Sequence, residues 1–200
     1  DLPPAGPAAA ADRNAVATAA RALRGRIWRG GPLAGVGHNH VAVTRELSGT
    51  VILADPPGGS SVELEFPVSS LTLDEPSVRA SEGPAFDGEI PADDIAATRR
   101  NMLGPDLLDA ERHPSITSES TAVSGDLPDS VVTARVTVKG ESRLLEVPVS
   151  VNTFDGGLVA IGRLRFTHAA IGLEPFRVAL GSLRVADELV VEFRIVARRD

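Results

Sequence analysis

Apolar side chains return at every second position through most of this chain, a period that suits a strand with one buried face and not a helix. Val62, Leu64, Phe66 and Val68 alternate with Glu63, Glu65 and Ser69. Val132, Ala134, Val136 and Val138 alternate with Thr133, Arg135, Thr137 and Lys139. The same rhythm runs through residues 145–151, 160–166 and 189–195. Shorter or less regular strands fit residues 23–29, 41–44, 48–53 and 116–123. Turn chemistry separates these runs, at Asp55-Pro-Pro-Gly-Gly59, Ser124-Gly-Asp-Leu-Pro128, Lys139-Gly140 and Asp155-Gly-Gly157. The last three lie between clean alternating runs and read as hairpin connections.

One segment breaks the period. Residues 91–103 carry Pro91 at a first helical turn, Asp93 and Asp94 near the helix start, and Arg99 and Arg100 near its end. That charge order complements a helix dipole. Ile95, Thr98, Met102 and Leu103 fall near one stripe, and Gly104-Pro105 stops the helix. Residues 1–20 are rich in Ala and Pro and read as a mobile arm, with a short helix over 14–20 as the alternative. The expected fold is therefore all-β with one inserted helix. About eight antiparallel strands close into a barrel over residues 21–200, because closure removes exposed edges.

Composition narrows the function. A net charge of −7 opposes nucleic-acid binding, which needs a basic face. The chain has no Cys, so disulfides, Cys–zinc sites and thiol catalysis are excluded. No apolar run is long enough for a membrane helix. With 6 Phe, 1 Trp and no Tyr, the inward positions are mostly Val, Ala and Leu. A barrel of about eight strands can fill its interior with side chains or hold one ligand. The pattern alone leaves both open.

The order of motifs resembles the YceI-like domain family. Arg99-Arg-Asn-Met-Leu-Gly-Pro-Asp-Leu-Leu-Asp109, followed by His113-Pro-Ser-Ile116, is similar to the family's R-x-H-L-x-S-x-D-F-F-D and Y-P-x-I. Val136-Thr-Val-Lys-Gly-Glu-Ser-Arg-Leu-Leu145 is similar to its hairpin L-T-I-H-G-V-T-K-P-V. Phe166-Thr-His-Ala-Ala-Ile-Gly-Leu173, Gly181 and Val185-Ala-Asp-Glu-Leu-Val-Val191 follow the order of its C-terminal strand, D-F-G-I turn, glycine and V-G-D-E-V-x-I. Gly37-His38-Asn39-His40 resembles a branch of the family that carries G-H-x-H. The chain departs from the family at Asn101 and Lys139, each in place of a His, at Leu107-Leu108, in place of an aromatic pair, and at Ala170, in place of an Asp. The resemblance implies an extended lipocalin-like barrel around a long isoprenoid or quinone tail. It also implies a periplasmic or secreted bacterial protein whose leader is not part of this chain.

His38 and His40 are two apart, so on a strand they share a face. Two imidazoles so placed can chelate a transition metal or ligate a haem, with His168 the natural third ligand. Alternatively they bond to loops at the barrel mouth or meet the polar end of a ligand. The letters His-Asn-His do not indicate a nuclease, since a metal-bound ββα context and a phosphate-binding surface are both missing. Helix capping and turns account for Asp93, Asp94, Asp126 and Asp129. His113, before Pro114, reads as a loop residue in place of an aromatic, and Phe176 as either a ligand contact or a loop anchor. No G-x-S-x-G, G-x-G-x-x-G or P-loop motif occurs, and no set of nucleophile, base and oxyanion donor emerges.

Three readings follow. The first is a non-catalytic carrier whose partner is a long-chain isoprenoid, quinone or similar lipid, with no other cofactor. Leu64, Phe66, Met102, Val136, Val138, Leu164, Phe166 and Phe193 would line its interior, with His38, His40 and His168 at the mouth. Met102 and the helix would then form a lid, whereas in a filled barrel they would be a plug. The second reading is a metal- or haem-binding module built on His38 and His40. The third is a packed barrel serving as a structural or interaction domain. A second copy of the chain, in a homodimer, is the other partner considered.

Overall fold

In the computed structural model, which describes residues 11–16, 22–178 and 182–199, every alternating run becomes a strand. In chain order these are β1 (Ala11–Val16), β2 (Ala22–Gly30), β3 (His40–Thr44), β4 (Ser48–Ala54), β5 (Ser61–Pro67) and β6 (Thr72–Leu73). They continue as β7 (Ser115–Gly125), β8 (Asp129–Val138), β9 (Glu141–Phe154), β10 (Gly157–Thr167), β11 (Arg177–Val178) and β12 (Leu183–Arg199). Two α-helices accompany the strands among the described residues, the one-turn α1 (Pro76–Arg79) and the longer α2 (Ala92–Leu103).

The twelve strands of the described residues join one antiparallel sheet, which corrects the expected number of about eight. The difference arises because single paths round the wall are cut into shorter strands. β12 pairs with β2 along most of one edge and with β1 at its end. Likewise β3 pairs with β2 while β4 pairs with β1. The arm expected over residues 1–20 is corrected in part. Ala11–Val16 is a strand between β12 and β4, so Asn14 does not begin a helix, and the remainder of that segment lies outside the described residues. From β1 the pairing continues through β4, β5, β7, β8, β9 and β10 to β12, and so returns to its start.

The circuit is not hydrogen-bonded over its full height. The β9–β10 ladder runs from Phe154↔Gly157 to Val149↔Gly162 and stops there. The next β9 residue is Pro148, which has no N–H to donate. Beyond it, residues 141–147 and 163–167 make no pairing with one another. The Lys139-Gly140 hairpin has positive φ at both residues, 51° and 77°, as a two-residue turn matched to strand twist requires. Lys139 Nζ donates to Pro105 O at 2.6 Å, and the His113 ring lies over Gly140. Thus Lys139 and His113, both departures from the family pattern, tie this hairpin to the loop after α2.

The inward faces form the main core, but a second core lies outside the sheet. Val41 and Val43 of β3 pack there with Val78, Phe86 and Trp28. The segment after β6 folds over this face, and its Glu82 is clamped by Arg24 and Arg26 of β2. β3 is therefore covered on both faces, which is why Val41, Ala42 and Val43 are all buried in succession. Each large apolar side chain buried this way contributes roughly 1.5–3 kcal/mol.

α2 forms where the sequence places it. Pro91 precedes its first turn, Asp93 and Asp94 occupy that turn, and Met102 is buried. Ile95 and Leu103 pack against the inner core. Arg99 donates to the carbonyls of Ser69 and Leu71, which anchors the helix against the chain between β5 and β6. Among the described residues no helix is long and apolar enough to cross a membrane.

Candidate ligand-binding site

The inward faces enclose a cavity of about 660 Å³, well within the range of ligand sites. The interior therefore has room for a ligand, in keeping with the hollow alternative. Small residues stand where large ones would fill the space: Gly25, Ala134 and Ala160 all line it. At Gly162 the wall is closed instead by the ring of Phe193, its partner across β10 and β12. A Cβ on Gly162 would meet that ring at 2.3 Å.

At one end the cavity reaches His38, His168, Phe176 and Leu183; at the other it reaches Pro57 and Leu127 beside the turns. It thus follows the strands for most of their length. The eleven residues of β10 extend about 36 Å along the strand. A typical barrel tilt reduces that to roughly 25–30 Å along the axis.

Leu64, Phe66, Met102, Val136, Val138, Leu164, Phe166 and Phe193 all line the cavity, as do His38, His40 and His168. Leu158, Leu145, Val147 and Val191 line it too, and the same alternation points to them. Leu71, Leu107, Leu108 and Leu173 come from irregular segments and Leu73 from the two-residue β6, where no period singles them out. α2 presents Ala97, Thr98, Asn101 and Met102 to the void, so it walls the cavity instead of plugging it.

The histidines divide by their partners. His40 Nδ1 lies 2.6 Å from Asp74 Oδ2. An ionised carboxylate only accepts, so Nδ1 carries the proton and Nε2 is the remaining ring nitrogen. Asp74 also accepts from Val41 N at 3.1 Å and from Arg79 Nη1 at 2.8 Å. Burial pushes the Asp74 carboxyl up, but His40, Val41 N–H and Arg79 outweigh it and hold the group below its usual value. Arg79 in turn donates to the carbonyls of Asn39 and Phe86, fixing the loop before β3.

The His38 ring is 6.4 Å from that of His40, and its Nε2 lies 3.9 Å from Asp94 Oδ2. His168 is buried, and its Nδ1 donates to Asp187 O at 2.9 Å. The three histidines do not assemble into a metal centre. Among the described residues no group of three His, Cys, Asp or Glu is placed to hold a metal ion, which corrects the expectation of His168 as third ligand.

The chain was compared with known proteins. The family model for the YceI-like domain matches residues 32–197. The crystal structure of Burkholderia cenocepacia BcnA is similar, with a TM-score of 0.64 at 19% identity over 90% of this chain and 98% of that one. A Campylobacter jejuni YCEI protein that crystallises with large solvent channels aligns with a TM-score of 0.56 at 10% identity, over 80% of this chain and 84% of that one. At such identities the likeness shows a shared fold. No curated protein matches the chain. The curled antiparallel sheet, the inserted helix and a family match across most of the sequence agree: the chain belongs to the YceI-like domain family.

Proposed function

We propose that this protein is a non-catalytic carrier that holds a long-chain isoprenoid, quinone or similar apolar lipid inside the sheet. The observation that carries this reading is the long cavity of about 660 Å³ with its Val, Leu and Phe lining. Leu64, Phe66, Met102, Val136, Val138, Leu164, Phe166 and Phe193 would contact the tail. His38, His40 and His168 would meet its polar end. Burial supplies the affinity: ten methylenes contribute about 8 kcal/mol before the cost of ordering the tail. Family membership supports the same reading and a periplasmic or secreted location.

Organic extraction of the purified protein followed by mass spectrometry tests the proposal. A long-chain lipid at near one equivalent is expected. Ala160 lines the cavity opposite Ile195, so Ala160→Phe should lower that stoichiometry while leaving the β-sheet circular dichroism intact. If no lipid is extracted and the stripped protein fails to take up a long-chain prenol, the carrier reading falls.

A further inference from the structure

Two histidines that line the cavity share one tautomer, although they lie far apart in the chain. His40 stands opposite Ile27 in the β2–β3 ladder, on the inward face, and His168 enters from the turn after β10. His40 Nδ1 lies 2.6 Å from Asp74 Oδ2, and His168 Nδ1 lies 2.9 Å from Asp187 O. Neither oxygen can donate, so both rings carry a proton on Nδ1. Arg79 already supplies the countercharge to Asp74, donating to its Oδ1 at 2.8 Å, so a neutral His40 leaves that carboxylate compensated. In a neutral ring the other nitrogen, Nε2, only accepts.

Neither Nε2 has a protein partner among the described residues. An acceptor left unpaired in an apolar cavity loses its hydration with no return, and a donor on the ligand removes that penalty. An alkyl tail, an ether or a ketone has no donor to offer, whereas a hydroxyl has one. Arg29 and Asp94 also line the cavity, and their charges are opposite, so they set no preference for a charged head.

We propose that the mouth selects a ligand whose head is a hydroxyl that donates to His40 Nε2, with His168 Nε2 as a second acceptor. Asp74 is the positioning residue that holds His40 in its accepting tautomer. This rests on the carrier reading above and names the head-group chemistry within it. A prenol or a hydroquinone meets the requirement; a quinone, which only accepts, does not.

The test titrates stripped protein with two matched pairs: a polyprenol against its methyl ether, and a prenylated hydroquinone, kept reduced, against its quinone. The hydroxyl member of at least one pair should bind about tenfold more tightly, the effect of leaving a buried acceptor unpaired. The pair with the tighter hydroxyl member tells an alcohol from a hydroquinone. In Asp74→Asn the side-chain amide donates to His40 Nδ1, so the ring proton moves to Nε2 and the preference should shrink at least about threefold. His40→Phe should shrink it likewise and serves if Asp74→Asn misfolds. Nitrogen NMR of labelled histidine reads the tautomer directly: His40 Nε2 should be unprotonated in the unaltered protein, shift when the hydroxyl ligand binds, and become protonated in Asp74→Asn. Equal affinities within both pairs, a preference that survives His40→Phe, or a protonated Nε2 in the unaltered protein overturns the hydroxyl-head proposal and leaves the carrier reading intact. Failure of all four lipids to bind removes the carrier reading, and this proposal with it.

Discussion

Asp74→Asn is the most informative single change at the mouth. The Asp74 side chain is fully buried and accepts three hydrogen bonds, from His40, Arg79 and Val41 N–H. Asparagine keeps an oxygen for Val41 and Arg79 but loses the charge. Its amide NH₂ also meets His40 Nδ1, which must then become an acceptor. Hydrogen bonds to a charged group contribute roughly 1.5–3 kcal/mol each, and two of them lose that assistance without being abolished, so the expected loss is about 2–3 kcal/mol. Removing the side chain altogether in Asp74→Ala leaves Arg79 buried beside no anion and should cost about 3–5 kcal/mol.

The pH dependence has a definite sign. Asp74 is held below its usual value in the folded protein, so its contribution is complete above the unfolded pKa of about 3.9 and is lost as pH falls through the folded pKa. Urea unfolding of both proteins from pH 7 down to pH 2 would therefore show a gap that is full at neutral pH and narrows below about pH 4. A gap under about 0.5 kcal/mol at pH 7 would refute the network's role. A gap that stays constant to pH 2 would refute the titration.

Other expectations concern the wall. Gly162→Ala should destabilise by roughly 1–3 kcal/mol, because its Cβ would lie 2.3 Å from Phe193 Cζ and 2.7 Å from the rigid Pro148 O. Phe193→Leu should recover part of that loss in a double-mutant cycle; strictly additive costs would show that the ring is not the obstacle. Hydrogen exchange should be faster across residues 143–147 and 163–167 than across 149–154 and 157–162, where the β9–β10 ladder is intact. Uniform protection along both strands would mean that the ladder does not end at Pro148.

Alternation placed Leu64, Phe66, Val136, Val138, Leu164, Phe166 and Phe193 on one face, and α2 was legible from its capping charges and its stop at Gly104-Pro105. Those are local properties: a side chain's face follows from strand period, and a helix end from the residues beside it. Other features join residues far apart in the chain. His40 meets Asp74 across thirty-four positions, and the outer core forms because Val78 and Phe86 return to cover β3. The histidine spacing suggested a metal pair, yet only the packed chain shows His40 oriented by a carboxylate and His168 turned to a carbonyl.

The hollow interior is likewise a sum over the whole wall. Val, Ala and Leu can fill a narrow barrel or leave a wide one empty, and the circumference is set by the circuit of pairings from β1 to β12. By itself the sequence determined the long alternating strands, the helix and the face that looks inward, though not β1, β6 or β11, because each of the former depends on neighbours within a few residues. Whether that face encloses space, and which charges gather at its opening, was decided only by tertiary structure, because volume and Coulomb contacts depend on residues that chain order keeps apart.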